Sequence, residues 1–326
     1  MTTATPIATA RALSGGPGGR PDWLDDPDPA RRQLALIALE EDGGLSLDPL
    51  LAAAGDVDPT VRRLAIGLLE DLGDGRAAAT VIAALEDPEE AVRDAAAGAL
   101  RELRDEEATR ALLGALAHER AAVRSAVIVA LRDRRDPRAA QPLTAALQDP
   151  DSGVRREAVV SLAYLQLPET LEALRERLTD PDASVRRLAV GALDLFAVEH
   201  GQALLSPLAA ALTDEDWQVR VEAAIVLGRA RGDAAVSALV RAANDPAWQV
   251  RKEVAASLGR ARAATGGAAL VERLDDPVAD VRRAAAGALG ELRVRAALDP
   301  LRSLLADRDA EVRKAAARAL SMIEGS

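Results

Sequence analysis

The residue types that most often do chemistry in proteins are scarce in this chain. Its 326 residues include no cysteine and only two histidines, His118 and His200. The absence of cysteine excludes disulfides, thiolate nucleophiles and cysteine-bound metals. His118 precedes Glu119, a pair that could bind a metal, but one such pair and one further imidazole cannot complete a ligand set. We therefore predict no catalytic residue, no metal site and no cofactor, and we interpret His118 as a substitution at a helix start.

Arginine is the other candidate for chemistry, because it recurs along the whole sequence and could form a basic stripe. Nucleic-acid binding, however, requires a surplus of positive charge on the binding surface. The chain has the opposite balance, with 41 basic and 52 acidic residues and a formal net charge of -11 at pH 7. The acidic residues recur in step with the arginines. We therefore interpret both as paired structural residues and predict that the chain does not bind nucleic acid.

The elements that would position these residues follow from a repeat. The dipeptide Val-Arg recurs at intervals of 31 residues, with one interval of 34 residues inside the series. Its valines are Val61, Val92, Val123, Val154, Val185, Val219, Val250, Val281 and Val312. A degenerate copy, "DPDPARRQLALIAL", precedes them. A fixed period of roughly 20 to 50 residues is typical of a solenoid, and the series indicates about ten repeats.

Each repeat has the pattern of two antiparallel helices. In nine of the ten copies an aspartate lies five residues before the valine position, often followed by proline, which predicts a helix start. Apolar residues then follow at helical spacing, as in Val185, Leu188 and Ala189. A short break and a second amphipathic segment such as "ETLEALRERL" complete the repeat. Neither helix can bury its apolar face alone, so neighbouring repeats must stack. The sequence predicts an all-α fold, a right-handed α-solenoid of about ten two-helix repeats.

This pattern resembles the HEAT repeat, and especially the short bacterial HEAT-like repeats of phycobilisome lyases. The resemblance covers residues 23–326 and depends on an aspartate, a valine five residues later and an arginine at six. It implies a ladder of hydrogen bonds between adjacent repeats. The implied ladder residues are Asp56 and Arg62, Asp87 and Arg93, Asp149 and Arg155, Asp180 and Arg186, Asp214 and Arg220, Asp245 and Arg251, Asp276 and Arg282, and Asp307 and Arg313. His118 stands where the aspartate beside Arg124 belongs, which predicts a defect at Arg124.

Two departures from the repeat are candidates for partner binding, because stacking does not require them. Trp217 and Trp248 both lie two residues before the repeat valine, each followed by glutamine, Gln218 and Gln249. Aromatic residues make up only 2% of the chain, so two in register indicate a binding anchor, with packing of the rings against the adjoining loop as the alternative. The second departure is the insertion at 194–205 with Phe196, together with Tyr164 one repeat earlier. We expect this insertion to lengthen a turn. It either breaks the curvature of the solenoid or is a loop insertion that the fold tolerates.

The domain organisation and function follow from these observations. Residues 1–22 are predicted to be a flexible tail, and 23–326 a single solenoid. No apolar run approaches the roughly 20 residues that span a bilayer, so we expect a cytoplasmic protein without membrane contact. The main hypothesis is a non-catalytic scaffold or adaptor that binds another protein on its extended surface. The alternative, implied by the resemblance to phycobilisome lyases, is an accessory factor for attaching a bilin or other tetrapyrrole cofactor, or for enzyme maturation.

Overall fold

The computed structural model describes residues 22–325 apart from 42, 231 and 263, and it describes only the backbone of 197–202. Within this part of the chain there are 19 α-helices and no strand. The prediction of an all-α repeat fold is therefore confirmed, whereas the handedness of the superhelix stays a prediction. Residues 1–21 of the predicted tail lie outside the described residues, and Asp22 begins a short 3-10 helix, Asp22–Asp25.

The helices alternate between two kinds along the chain. The odd-numbered helices carry the Val-Arg pairs: α1 Pro29–Glu41, α3 Pro59–Leu72, α5 Glu90–Glu102, α7 Ala121–Arg132, α9 Ser152–Leu165, α11 Ala183–Asp194, α13 Trp217–Arg229, α15 Trp248–Arg260, α17 Ala279–Glu291 and α19 Ala310–Glu324. The even-numbered helices are mostly shorter: α2 Leu47–Ala53, α4 Ala78–Ala84, α6 Glu106–Ala115, α8 Ala140–Ala146, α10 Leu171–Glu176, α12 Ala197–Ala211, α14 Asp233–Ala242, α16 Gly267–Glu272 and α18 Leu298–Ser303. Most repeats are thus one long and one short helix, except that α12 has 15 residues and α11 has 12.

The chain divides into two compact units, Met1–Leu165 and Gln166–Ser326. In the first unit, α3 packs on α5, α5 on α7, and α7 on α9. In the second unit, α11, α13, α15, α17 and α19 pack on one another in order. The repeat valines and the leucines that follow them are buried where these helices pack. The prediction of one continuous solenoid over 23–326 stays a prediction.

The helices begin two residues later than the sequence pattern predicts. Asp58 is the residue that caps α3, and its carboxylate accepts the amides of Thr60 at 2.9 Å and Val61 at 3.2 Å. Asp56, the expected cap, lies two residues further out and accepts the amide of Asp58 at 2.8 Å. Asp182, Asp216 and Asp309 cap α11, α13 and α19 in the same way as Asp58. The recurrent aspartate can therefore bind outside its own helix.

Small residues set the spacing of the long helices in the second unit. A Cβ atom added at Gly228 of α13 would lie 2.6 Å from Cβ of Ser257 in α15. A Cβ atom at Gly290 of α17 would lie 2.8 Å from Cα of Ala319 in α19. Real Cβ atoms do not approach other heavy atoms so closely, so these helices could not pack at this distance with larger residues.

The insertion at 194–205 lengthens a helix rather than a turn. Only Leu195 and Phe196 separate α11 from α12, and α12 has 15 residues, compared with 10 in α14. The expected longer turn is therefore wrong: the three extra residues extend the short helix of the repeat. His200 lies in the stretch whose side chains are outside the described residues. The predicted break in curvature stays a prediction.

Candidate functional site

The recurrent arginines bind between repeats, each with the same geometry. Arg62 of α3 donates from Nε to Oδ2 of Asp87 at 2.6 Å and from Nη2 to Oδ1 at 2.8 Å. Its third nitrogen, Nη1, donates to the carbonyl oxygens of Asp56 at 2.8 Å and Val57 at 3.0 Å. One guanidinium thus holds the carboxylate of the next repeat and the backbone of its own repeat. We call this arrangement a complete rung.

Complete rungs recur within both units. Seven of them are Arg32–Asp56, Arg62–Asp87, Arg124–Asp149, Arg186–Asp214, Arg220–Asp245, Arg251–Asp276 and Arg282–Asp307. The donor–acceptor distances from Nε and Nη2 to the carboxylates lie between 2.6 and 3.0 Å. Two further arginines make the backbone bond of a rung: Arg155 donates to the carbonyl oxygen of Asp149, and Arg313 to that of Asp307.

The side-chain pairing is one repeat out of step with the sequence prediction. Arg62 does not bind the carboxylate of Asp56, six residues before it, but that of Asp87, 25 residues after it. The predicted defect therefore moves as well. Arg124 has a complete rung with Asp149, 25 residues later. By the same spacing, the arginine that lacks an aspartate because His118 takes its position is Arg93, one repeat earlier. The pairing shifts by one repeat because each of these arginine side chains points toward the next repeat rather than back toward its own aspartate carboxylate.

The hydrogen bonds of the rungs lower the pKa values of several of their aspartates. The hydrogen bond from Arg62 lowers the pKa of Asp87 below its ordinary value of 3.8, although burial acts in the opposite direction. At Asp214, burial is the largest influence and would raise the pKa, yet the hydrogen bonds from Arg186 and the Asp216 amide lower it overall. These aspartates are charged near neutral pH, so they neutralise the arginines of the complete rungs.

Trp217 and Trp248 occupy equivalent positions on adjacent helices of the second unit. They are the first residues of α13 and α15, and their side chains remain 39% and 38% exposed. The Lys252 ammonium lies 5.9 Å from the centre of the Trp248 ring, which is a cation–π distance. Packing therefore covers more than half of each ring, and the remainder faces solvent.

The two glutamines beside these rings offer polar groups to the same surface. Gln218 is exposed and Gln249 is half-buried. The Gln218 backbone amide donates to Asp216, the cap of α13, at 2.7 Å. The side-chain amides of both glutamines have no hydrogen-bond partner among the residues that the structure describes. Their donors and acceptors are open to a ligand or to water.

The surface extends along α13 through residues that the sequence pattern did not single out. Val221 and Ile225 follow Trp217 at intervals of four residues, on one face of the helix, and both are half-exposed. Glu222 lies beside them, and burial raises the pKa of its carboxyl group. Within the described residues it has no hydrogen bond or ion pair. We call Trp217, Trp248, Val221, Glu222 and Ile225, together with the two glutamines, the tryptophan surface.

The other two candidate aromatic residues differ from each other. Tyr164, near the end of α9 in the first unit, is 51% exposed. Its ring lies 5.7 Å from the guanidinium carbon of Arg132 and 5.9 Å from that of Arg135. Phe196 is only 6% exposed, because it packs into the core between α11 and α12. Its inclusion among partner-binding residues is therefore wrong: a buried ring offers no contact surface.

Two other kinds of site are absent from the part of the chain that the structure describes. None of its helices combines the length and the apolar character needed to cross a membrane. Among the same residues, no three His, Cys, Asp or Glu side chains are placed to hold a metal ion together.

Several solved structures are similar to this chain. The structure of Kap95p with RanGDP matches with a TM-score of 0.64 and 17% identity over 93% of this chain, which spans 49% of that chain. Escherichia coli YibA matches with a TM-score of 0.52 and 20% identity, over 88% of this chain and 95% of that one. Human deoxyhypusine hydroxylase in complex with glycerol is 25% identical over 79% of this chain and 99% of that one, with a TM-score of 0.36. The first two likenesses concern the fold, and the third superposes too poorly to say more.

Sequence comparison identifies the family. No curated protein matches the chain significantly. The family model described as HEAT repeats matches residues 47–132, 114–194, 205–286 and 267–326, which is well over half of the sequence. These matches do not distinguish the phycobilisome-lyase type from other HEAT repeats, so that subtype stays a prediction. The repeated pairs of helices, the rungs between them and the family match lead to one conclusion: the chain belongs to the HEAT repeat proteins.

Proposed function

We propose that this chain is a non-catalytic scaffold that binds another protein through the tryptophan surface of its second unit. The observation that carries the proposal is the pair of exposed tryptophans at the same repeat position on adjacent helices. Complete rungs and buried valines already hold the helices together, so stacking does not require rings at this position. Most other repeats carry a small or charged residue there, such as Ala183 or Glu90.

The chemistry of the surface suits a protein partner. Tryptophan is enriched among the residues that dominate binding energy at protein interfaces, because it buries a large area with few rotatable bonds. The exposed part of each ring is on the order of 100 Å² if a tryptophan offers about 250 Å² in all. Covering both rings would contribute up to about 5 kcal/mol at roughly 25 cal/mol per Å². Among the similar folds, the Kap95p structure is likewise one of a protein bound to another protein.

Glu222 adds a preference to this surface. Its carboxylate is partly buried with no cation bound to it within the described residues, a position that raises its pKa. A basic side chain of the partner, placed between Glu222 and the rings, would gain both an ion pair and a cation–π contact. The partner segment that fits best is therefore apolar with a lysine or arginine.

The experiment compares what the wild-type chain and a double variant capture from extract of the native cell. Trp217→Ala with Trp248→Ala should lose the captured protein, while helical circular dichroism and the melting temperature stay nearly unchanged. Leu305→Ala is the matched control, because Leu305 is another exposed apolar residue of the second unit and lies outside the tryptophan surface. If the double variant melts earlier and still captures its partner, the rings are packing residues and the proposal is wrong.

A further inference from the structure

One rung of the first unit is incomplete. Arg93 of α5 donates from Nη1 to the carbonyl oxygens of Asp87 at 2.7 Å and Pro88 at 2.8 Å, as the arginines of complete rungs do. In a complete rung, Nε and Nη2 hold a carboxylate. At Arg93 these two nitrogens have no acceptor among the described residues. The backbone half of the rung is therefore made, and the carboxylate half is not.

The cause is His118, which stands at the position of the missing aspartate. Its Nδ1 accepts the Arg120 amide at 3.2 Å, as Oδ1 of Asp149 accepts the amide of Asp151 at 2.9 Å. A neutral imidazole has one acceptor nitrogen, whereas a carboxylate has two oxygens with several lone pairs. The imidazole can therefore replace the aspartate in the turn, but it cannot also accept two hydrogen bonds from a guanidinium.

The neighbouring acidic side chain does not replace the aspartate either. Glu86 lies 2.9 Å from Nε of Arg120 and 3.9 Å from Nε2 of His118. It binds these two residues rather than Arg93. Arg93 itself is half-exposed, so a ligand from solvent can reach its guanidinium.

We propose that Arg93 binds a carboxylate that comes from outside this chain, held by Nε and Nη2 in the geometry of a complete rung. Seven equivalent guanidinium groups in the chain bind carboxylates with both nitrogens at 2.6 to 3.0 Å. The Arg93 guanidinium is already oriented by its hydrogen bonds to the carbonyl oxygens of Asp87 and Pro88, so it needs no rearrangement to bind a carboxylate in the same way. The carboxylate can belong to a small organic acid or to an acidic side chain of a protein. This site lies in the first unit and does not depend on the tryptophan surface.

The test follows the Nε–Hε resonance of Arg93 by NMR, assigned by its loss in Arg93→Lys. Titration with sodium acetate, against sodium chloride at equal ionic strength, should move this resonance downfield along a saturable curve. The resonance of Arg62 is the internal control and should stay in place, because its rung is complete. In the His118→Asp variant, the Arg93 resonance should already lie downfield before acetate is added and should not move during the titration, because the chain then supplies its own carboxylate.

A second titration separates the two sources of carboxylate. A short peptide with blocked ends and one internal glutamate is compared with the same peptide carrying glutamine. Tighter saturation by the glutamate peptide than by acetate indicates a protein side chain, and saturation by acetate alone indicates a small acid. If the Arg93 resonance moves with neither ligand, or moves equally in His118→Asp, the proposal is wrong.

Discussion

The stabilising effect of one rung can be measured, because the first unit contains a complete and an incomplete rung side by side. Arg62 and Arg93 make the same pair of bonds to backbone carbonyls, but only Arg62 also holds a carboxylate. Changing Arg62 to alanine removes those backbone bonds and leaves Asp87, which is nearly buried, without its cation. Changing Arg93 to alanine removes only the backbone bonds. The difference between the two variants isolates the carboxylate half of the rung.

Removing one partner of a buried ion pair costs about 3–5 kcal/mol, because the remaining charge is left unpaired. Asp87 keeps one hydrogen bond, from the amide of Glu89 at 3.0 Å, so the lower end of that range applies. Losing the bonds from the arginine to backbone carbonyls costs about 1–2 kcal/mol. We therefore expect Arg62→Ala, which loses both, to lower the free energy of unfolding by about 4 kcal/mol, and Arg93→Ala, which loses only the backbone bonds, by about 1 kcal/mol.

Urea unfolding followed by circular dichroism measures both variants against the wild-type chain. The comparison requires that the free energy of unfolding falls with urea concentration at a similar slope in both variants. A changed slope would indicate a change in cooperativity between repeats. Equal shifts of the unfolding midpoint in the two variants would refute the reasoning. The carboxylate would then add nothing beyond the backbone bonds.

Three further predictions concern the same helices. His118→Asp should complete the rung of Arg93 and raise the free energy of unfolding by about 1 kcal/mol, measured by urea unfolding; a loss of stability would contradict the assigned pairing. Gly290→Ala should destabilise the chain by about 1–3 kcal/mol, because the added Cβ meets the neighbouring helix. Gly287→Ala in the same helix has open space around it and should stabilise the chain by about 0.5–1 kcal/mol. Melting temperatures that shift in the same direction for both variants would show that helix spacing is not the reason. The pKa of Asp87 is lower in the folded chain than in the unfolded chain, so the folded chain binds fewer protons and its stability should fall as pH drops below about 4. Asp87→Asn should weaken this pH dependence. An unchanged midpoint of acid unfolding in that variant would contradict the prediction.

The sequence predicted the repeat and its chemistry well, but not the direction of the contacts. The period and the two helices of each repeat follow from spacing and residue type, and the resemblance to HEAT repeats implies the pairing of arginine with aspartate. Spacing alone does not show whether an arginine turns back to the aspartate six residues before it or reaches the one in the next repeat. Both have the same sequence signature, and only the packed helices decide between them.

Other differences have a similar origin in packing. At the starts of α3, α13 and α19 there are two aspartates, and the inner one caps the helix while the outer one binds the arginine of the preceding repeat. Phe196 was a candidate for partner binding because it lies in an insertion, but its ring is buried in the core. Glu222 was overlooked because an acidic residue on a helix is ordinary in sequence. Its burial is visible only when the neighbouring helix is in place.

The forward reach of each arginine makes the chain modular. Every complete repeat presents an arginine to its successor and an aspartate to its predecessor, so any two such repeats in register can form a rung at their junction. Removing one period of 31 residues between Arg220 and Asp276 would bring those two residues together as a new rung. Gene segments that encode single repeats can therefore be duplicated, lost or exchanged while the rung at the new junction is kept. A protein of this type can change its length through evolution while keeping the same connection at every joint.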